Sequence, residues 1–154
     1  PKTSSAASDV YKRQIGVDPD GPACNSGNRG SLEQFASIAA LRRLCDRDPR
    51  ELSQAAADGE PAALEVWERY GTRLGVGLSS LVYVFTPQLV LLGGGLAGAA
   101  RHFLPAVRRE VELRVQAVSR EGLRIDACAL GNGAGRLGAA RLALLRLGGM
   151  MADD

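Results

Sequence analysis

An α/β fold is the class this sequence predicts, and three observations predict it. A short apolar run, Leu89-Val90-Leu91-Leu92, leads straight into Gly93-Gly94-Gly95 and then into a helical pattern. A second segment alternates Leu123, Ile125 and Ala127 with Arg124, Asp126 and Cys128, and it leads into Gly131-Asn132-Gly133 and another helical pattern. Helical periodicity also fills most of the sequence before the first strand. Strand, glycine turn and helix therefore occur twice in succession, on a helical framework.

Composition sets the outer limits. The 154 residues fit one ordinary domain or a part of a larger one. With 45% hydrophobic and 23% charged residues the balance is that of a soluble globular protein. The uncharged stretch from Leu74 to Leu92 is broken by Gly75, Gly77, Ser79, Ser80 and Pro87, so it reads as buried helix plus strand and no membrane span is expected. Lys2, Lys12 and Arg13 against Asp9 account for the whole formal net charge of +2, leaving a neutral body. Duplex binding depends on neutralising phosphates, so no nucleic-acid contact is expected through this segment. The three cysteines, Cys24, Cys45 and Cys128, are scattered and odd in number, which fits reduced thiols in the cytoplasm. The single histidine, His102, cannot build a metal site or a catalytic triad without partners from elsewhere.

Residues 1–14, PKTSSAASDVYKRQ, show neither helical nor strand period and stop abruptly at Ile15. They resemble a translated sequencing-adapter scar, with a natural disordered tail as the alternative, and are set apart from the fold. Val17-Asp18-Pro19-Asp20-Gly21-Pro22 is turn chemistry, followed by a loop with Gly27 and Gly30. A helix is expected from Ser31, with a capping box between Ser31 and Gln34, and Leu32, Phe35, Ile38, Leu41 and Leu44 along one face. Asp48-Pro49 with Glu51 starts a short second helix that ends at Asp58-Gly59. Pro61 opens a long third helix. Leu64, Trp67, Gly71, Leu74, Leu78, Leu81 and Phe85 share its buried face, and Thr86-Pro87 ends it. Its glycines, Gly71, Gly75 and Gly77, are read as points of close approach.

Leu89–Leu92 reads as a buried strand. The next helix carries Leu104, Val107, Val111, Val115 and Val118, and a last one runs from about Ala134 to Leu147.

Glycines between a strand and a helix let a ligand approach free backbone N–H groups, and the helix dipole there favours phosphate. The two turns, at Gly93-Gly94-Gly95 and Gly131, thus suggest a nucleotide cleft; tight structural turns are the plainer alternative. Gly93, Gly95 and Gly98 also match a dinucleotide-binding spacing. That reading needs a ribose-binding acid about 20 positions on, and the only acid on the next strand, Asp126, is too distant and in mid-strand.

The run Gly21-Pro22-Ala23-Cys24-Asn25-Ser26-Gly27-Asn28-Arg29-Gly30-Ser31-Leu32-Glu33 resembles the signature loop of the ROK family of repressors, uncharacterised reading frames and sugar kinases. Thr86 to Gly95, the helix before it, and Leu130-Gly131-Asn132-Gly133-Ala134-Gly135 through Ala140 agree in order and spacing. The resemblance covers Ile15 to about Leu147. It implies an actin-like ATPase (ribonuclease-H-like) fold, with residues 15–154 as the C-terminal lobe of a ROK-type sugar kinase. It implies hexose and ATP as ligands, Mg²⁺ with the ATP, and a homodimer. Gly93, Gly94 and Gly95 would lie near the adenosine side of ATP, with Gly131 in a neighbouring turn. Glu33 would accept hydrogen bonds from sugar hydroxyls, a role that suits a carboxylate at a helix start; a solvated first-turn acid is its plainer reading.

The departures from the family pattern carry expectations of their own. Family members hold a structural zinc with a histidine and three cysteines. Here Cys24 remains, Ser26 and Ser31 replace the second and third thiols, and Gln14 stands where the histidine belongs. A neutral serine is a poor zinc ligand, so no zinc is expected. The family's N-terminal lobe, with its phosphate-binding Asp-x-Gly segment and proton-accepting aspartate, is not in this sequence. No catalytic residue is nominated, and the segment is expected to be inert alone. The parent activity expected is an ATP-dependent, glucose-like hexose kinase. The alternative is a sugar-responsive transcriptional regulator with its DNA-binding segment upstream.

Overall fold

A computed structural model describes residues 13–150. The expected tail at 1–14 therefore lies almost wholly outside the described residues. The order is α1 (Leu32–Phe35), α2 (Ile38–Leu44), α3 (Pro49–Ala57), α4 (Pro61–Phe85), β1 (Leu89–Leu92), α5 (Ala100–Arg114), β2 (Arg124–Ala127) and α6 (Ala134–Met150). Short 3₁₀ turns at Ala97–Ala99 and Gly131–Gly133 lead into α5 and α6, and another at Ala117–Arg120 follows α5. β1 and β2 form a two-stranded parallel sheet with Leu89 opposite Arg124 and Leu92 opposite Ala127. No helix among the described residues is long and apolar enough to cross a membrane.

The helix-start signals of the third and fourth helices act as chemistry requires. The Asp48 side chain accepts the Arg50 amide at 2.9 Å, and Pro49 occupies the first turn, where its missing N–H costs nothing. Gly59, at φ +83°, turns the chain out of α3. Thr86 closes α4 in the left-handed region, at φ 40° and ψ 54°, and Pro87 follows it.

The core is built where α4 packs along α5. Trp67 is fully buried, lies edge-on to Tyr70 and stacks with Phe103 at 5.7 Å between ring centroids. The glycines of α4 explain how closely the helices meet. A Cβ on Gly71 would fall 2.4 Å from the Phe103 carbonyl oxygen, and one on Gly75 would fall 2.6 Å from Glu110 Cβ. Gly77 serves a third neighbour, since its Cβ would fall 2.5 Å from a methyl of Leu32.

Four expectations are corrected. The single helix from Ser31 is two: the chain breaks at Ala36-Ser37, and Ser37 starts α2 by accepting the Ala40 amide at 3.1 Å. A serine able to cap inside a periodic run outcompetes the longer helix, and Ile38 is left exposed. The buried stripe of α4 is shifted at both ends, with Leu64 and Phe85 exposed and Ala63 and Val82 buried in their place. Helix α5 stops at Arg114, short of Val115 and Val118; Val115 is buried as an extended cap residue and Val118 is exposed. Strand β1 is not buried on both faces: Val90 and Leu92 pack against the core, while Leu89 and Leu91 are exposed.

Candidate functional site

The loop before α1 is shaped by glycine geometry. Gly30 has φ +59°, and a Cβ there would fall 1.6 Å from the Asp18 carbonyl oxygen. Only glycine lets these two strands of the loop touch. Backbone bonds from Val17 N to Gly30 O and from Gly30 N to Pro22 O, both 2.8 Å, close it. Inside, the Cys24 thiol lies 3.0 Å from Ser31 Oγ and accepts the Ser31 amide at 3.3 Å. Ser31 is completely buried. Its hydroxyl is thus spent on the loop and not on the helix, and the expected capping box with Gln34 is absent. Ser26 is exposed. The serines at two thiol positions leave a hydrogen-bonded loop, and among the described residues no group of three or more His, Cys, Asp or Glu side chains could hold a metal.

Glu33 sits in the single turn of α1, half-buried, with Arg13 Nη1 at 3.4 Å and Gln14 Nε2 at 3.3 Å from its two oxygens. Gln14 presents a second polar group: its Oε1 is buried without a hydrogen-bond partner among the described residues. An unmet buried acceptor beside a carboxylate is costly unless something donates to it.

Glu33 and Arg13 line a cavity of about 200 Å³ together with Tyr70, Gly93 and Gly95. The Tyr70 phenol donates to the Ala36 carbonyl at 3.3 Å, and burial pushes its pKa up to about 12, so it stays protonated. A second cavity, of about 400 Å³, is lined by Gly94, Gly95, Gly98 and Gly131 on one side and by Arg50, Ser53 and Gln54 of α3 on the other. All the singled-out residues therefore meet around one feature. The glycine turn after β1 has Glu33 in the cavity it shares through Gly93 and Gly95, and Gly131 in the cavity it shares through Gly94 and Gly95.

The turn glycines are of a different kind from those of α4. Gly94 (φ +93°) and Gly131 (φ +52°) both need the left-handed region, and a Cβ on either would meet nothing within 4 Å. Their backbone faces open space. The α3 wall was not legible in the sequence, because only the packing of α3 beside the turn brings Arg50, Ser53 and Gln54 to it. His102 braces this wall from behind, since the Ser53 backbone hydrogen-bonds to it and its ring stacks on Trp67. Burial, then the neighbouring Arg101, hold its pKa below the usual histidine value. Arg101 Nε donates to its Nε2 at 3.0 Å, which requires that nitrogen to be unprotonated.

Helices on a parallel strand pair, with glycine turns at the carboxyl ends of both strands and a carboxylate facing one of them, define an α/β protein with a candidate ligand site at those turns. The ROK family model matches residues 14–146, and the chain belongs to the ROK family. It is 29% identical over 153 residues to the glucokinase of Thermotoga maritima, covering 86% of this chain and 48% of that protein. It is 30% identical over 127 residues to the xylose repressor of Bacillus subtilis, covering 79% of this chain and 33% of that one. Among solved structures, the ROK family glucokinase of Streptomyces griseus, in complex with glucose and AMPPNP, superposes with a TM-score of 0.73 at 27% identity, over 84% of this chain and 49% of its own. The actin-like α/β class expected from the sequence is the fold of these sugar-kinase neighbours. The chain spans about half the length of the glucokinases it matches and a third of the repressor.

Proposed function

We propose that this chain is the C-terminal lobe of an ATP-dependent hexose kinase, in which the turn after β1 separates the sugar from the nucleotide. The carrying observation is that turn, with Glu33 in one adjoining cavity and Gly131 in the other. On this reading Glu33 accepts sugar hydroxyls in the cavity it lines with Tyr70, Gly93 and Gly95. Gly94 and Gly131 offer the nucleotide bare backbone with open space before it, and Gly95 lines the same cavity. The S. griseus glucokinase, solved with glucose and an ATP analogue, supports the pairing of ligands.

The catalytic base and the phosphate-binding acid belong, in this proposal, to a preceding lobe. Leu89 and Leu91 on β1 and Leu137, Leu142, Leu144 and Leu145 on α6 are exposed, apolar surface of the kind that a further part of a subunit covers. Mg²⁺ would arrive with ATP; among the described residues no group of three or more His, Cys, Asp or Glu side chains gathers to hold it. Zinc does not fit the signature loop, whose one thiol, Cys24, is already bonded to Ser31.

The similarity to the xylose repressor favours a second reading, in which the same sugar site serves a transcriptional regulator. Recovering the upstream reading frame separates the two. An Asp-x-Gly segment and a proton-accepting aspartate make the kinase; a helix-turn-helix without them makes the regulator. Titration of the full-length protein with glucose and AMPPNP then tests the kinase reading, which expects both ligands to bind. A protein that binds sugar and no nucleotide is the regulator.

A further inference from the structure

A cavity of about 430 Å³ shares no lining residue with the two cavities around the glycine turn. Its wall carries three guanidinium groups, Arg43 from α2 and Arg69 and Arg73 from α4, with the Thr72 hydroxyl and the apolar sides of Phe35 and Leu44. Arg69 and Arg73 are one helical turn apart and so lie on one face of α4. The wall contains one acid, Glu68, and Arg109 engages it. The cations are held unequally. Arg43 donates to the Gln34 carbonyl. Arg73 lies over the Phe35 ring, 4.9 Å from its centroid, with Asp18 Oδ2 at 3.4 Å. Arg69 has no hydrogen bond or ion pair among the described residues.

Three arginines spread over a convex surface would be an ordinary solvated face. Here they border one concavity of ligand size, where like charges repel and the one acid of the wall, Glu68, is already paired with Arg109. Two are already folded back on backbone or ring, so an anion finds them partly preorganised. A guanidinium fork matches the oxygens of a phosphate group, and three forks from two helices suit its tetrahedral shape. Phe35 and Leu44 add a surface for an organic body.

We propose that this cavity binds a small organic phosphate monoester, with its oxygens held by Arg43, Arg69 and Arg73 and its body against Phe35 and Leu44. The site touches both segments that flank Glu33, through Arg43 on the Gln34 carbonyl and Arg73 on Asp18. It stands whether the protein is a kinase or a regulator, because it uses neither cavity of the glycine turn.

Titration of the full chain with phenyl phosphate and with inorganic phosphate, followed by calorimetry and by amide chemical shifts, tests it. Phenyl phosphate should bind saturably, more tightly than inorganic phosphate, and more weakly as salt rises. Arg69→Ala should weaken it at least about tenfold, as loss of a charged hydrogen-bond donor does. Arg69→Lys should recover part of the loss, and Arg42→Ala, which removes the same charge outside the cavity wall, should bind like the parent chain. Thermal melts of each variant identify any that fail to fold, and Arg43→Lys then replaces them as the probe. No saturable binding overturns the proposal. So does binding that survives Arg69→Ala and disappears in Arg50→Ala, because that places the phosphate at the glycine turn.

Discussion

The glycines of α4 and the glycines after the strands look alike in the sequence and do opposite things. Gly71 and Gly75 are small because another helix fills the space a side chain would need. Gly94 and Gly131 are glycines because of their backbone angles, and the space before them is empty. The first pair is consumed by packing and has nothing left to offer a ligand. The second leaves backbone exposed within a cavity, and the proposed nucleotide site rests on that availability.

A series of single alanine substitutions breaks the comparison if it is wrong. Gly71→Ala drives a methyl against the Phe103 carbonyl, backbone that can yield only if α5 shifts, so a loss of about 1–3 kcal/mol is expected by chemical denaturation. Gly94→Ala meets no atom but must hold a left-handed backbone, at a cost of about 1–2 kcal/mol. Gly98→Ala, with ordinary angles and nothing within 4 Å, should be neutral or stabilising by up to about 1 kcal/mol. A Gly98 variant as unstable as the Gly71 variant contradicts the distinction between contact, angle and neither.

The smallest effect concerns the wall behind the open turn. His102 has a lowered pKa in the folded chain, so below the unfolded value of about 6.5 the unfolded state takes up the proton first. Its contribution is present above that pH and is lost as pH falls through the folded pKa. His102→Gln should therefore flatten the decline in stability from about pH 6.5 downward, read from melts across that range. An unchanged pH profile shows that His102 titrates alike in both states.

What could be read from the sequence was whatever depends on neighbours along the chain. The Asp48-Pro49 start of α3, the Thr86-Pro87 end of α4 and the two strand-to-glycine steps are local chemistry, and they are where they were expected. The break at Ser37 was missed because a capping serine inside a periodic run competes with helix continuation, and the periodicity of Leu32 to Leu44 does not reveal which wins. The exposure of Leu89 and Leu91 was missed because an apolar run states what could be buried, not which faces find a partner. At the site, Glu33 and the glycines were legible through the family motifs, and they do line adjoining cavities. Arg50, Ser53 and Gln54 were not, because only the packing of α3 beside the turn after β1 brings them there.

The central claim, that one glycine turn divides a sugar cavity from a nucleotide cavity, is tested most directly by a crossed titration of the full-length protein. Glucose and AMPPNP affinities are measured for the parent, for Glu33→Gln and for Gly94→Val. Hydrogen bonds to a charged group contribute about 1.5–3 kcal/mol. Glu33→Gln should therefore weaken glucose roughly ten- to a hundredfold and leave AMPPNP unchanged, while Gly94→Val should weaken AMPPNP far more than glucose. Equal losses of both ligands in both folded variants, or glucose binding untouched by Glu33→Gln, would contradict the account and return these residues to structural turns and a solvated helix start.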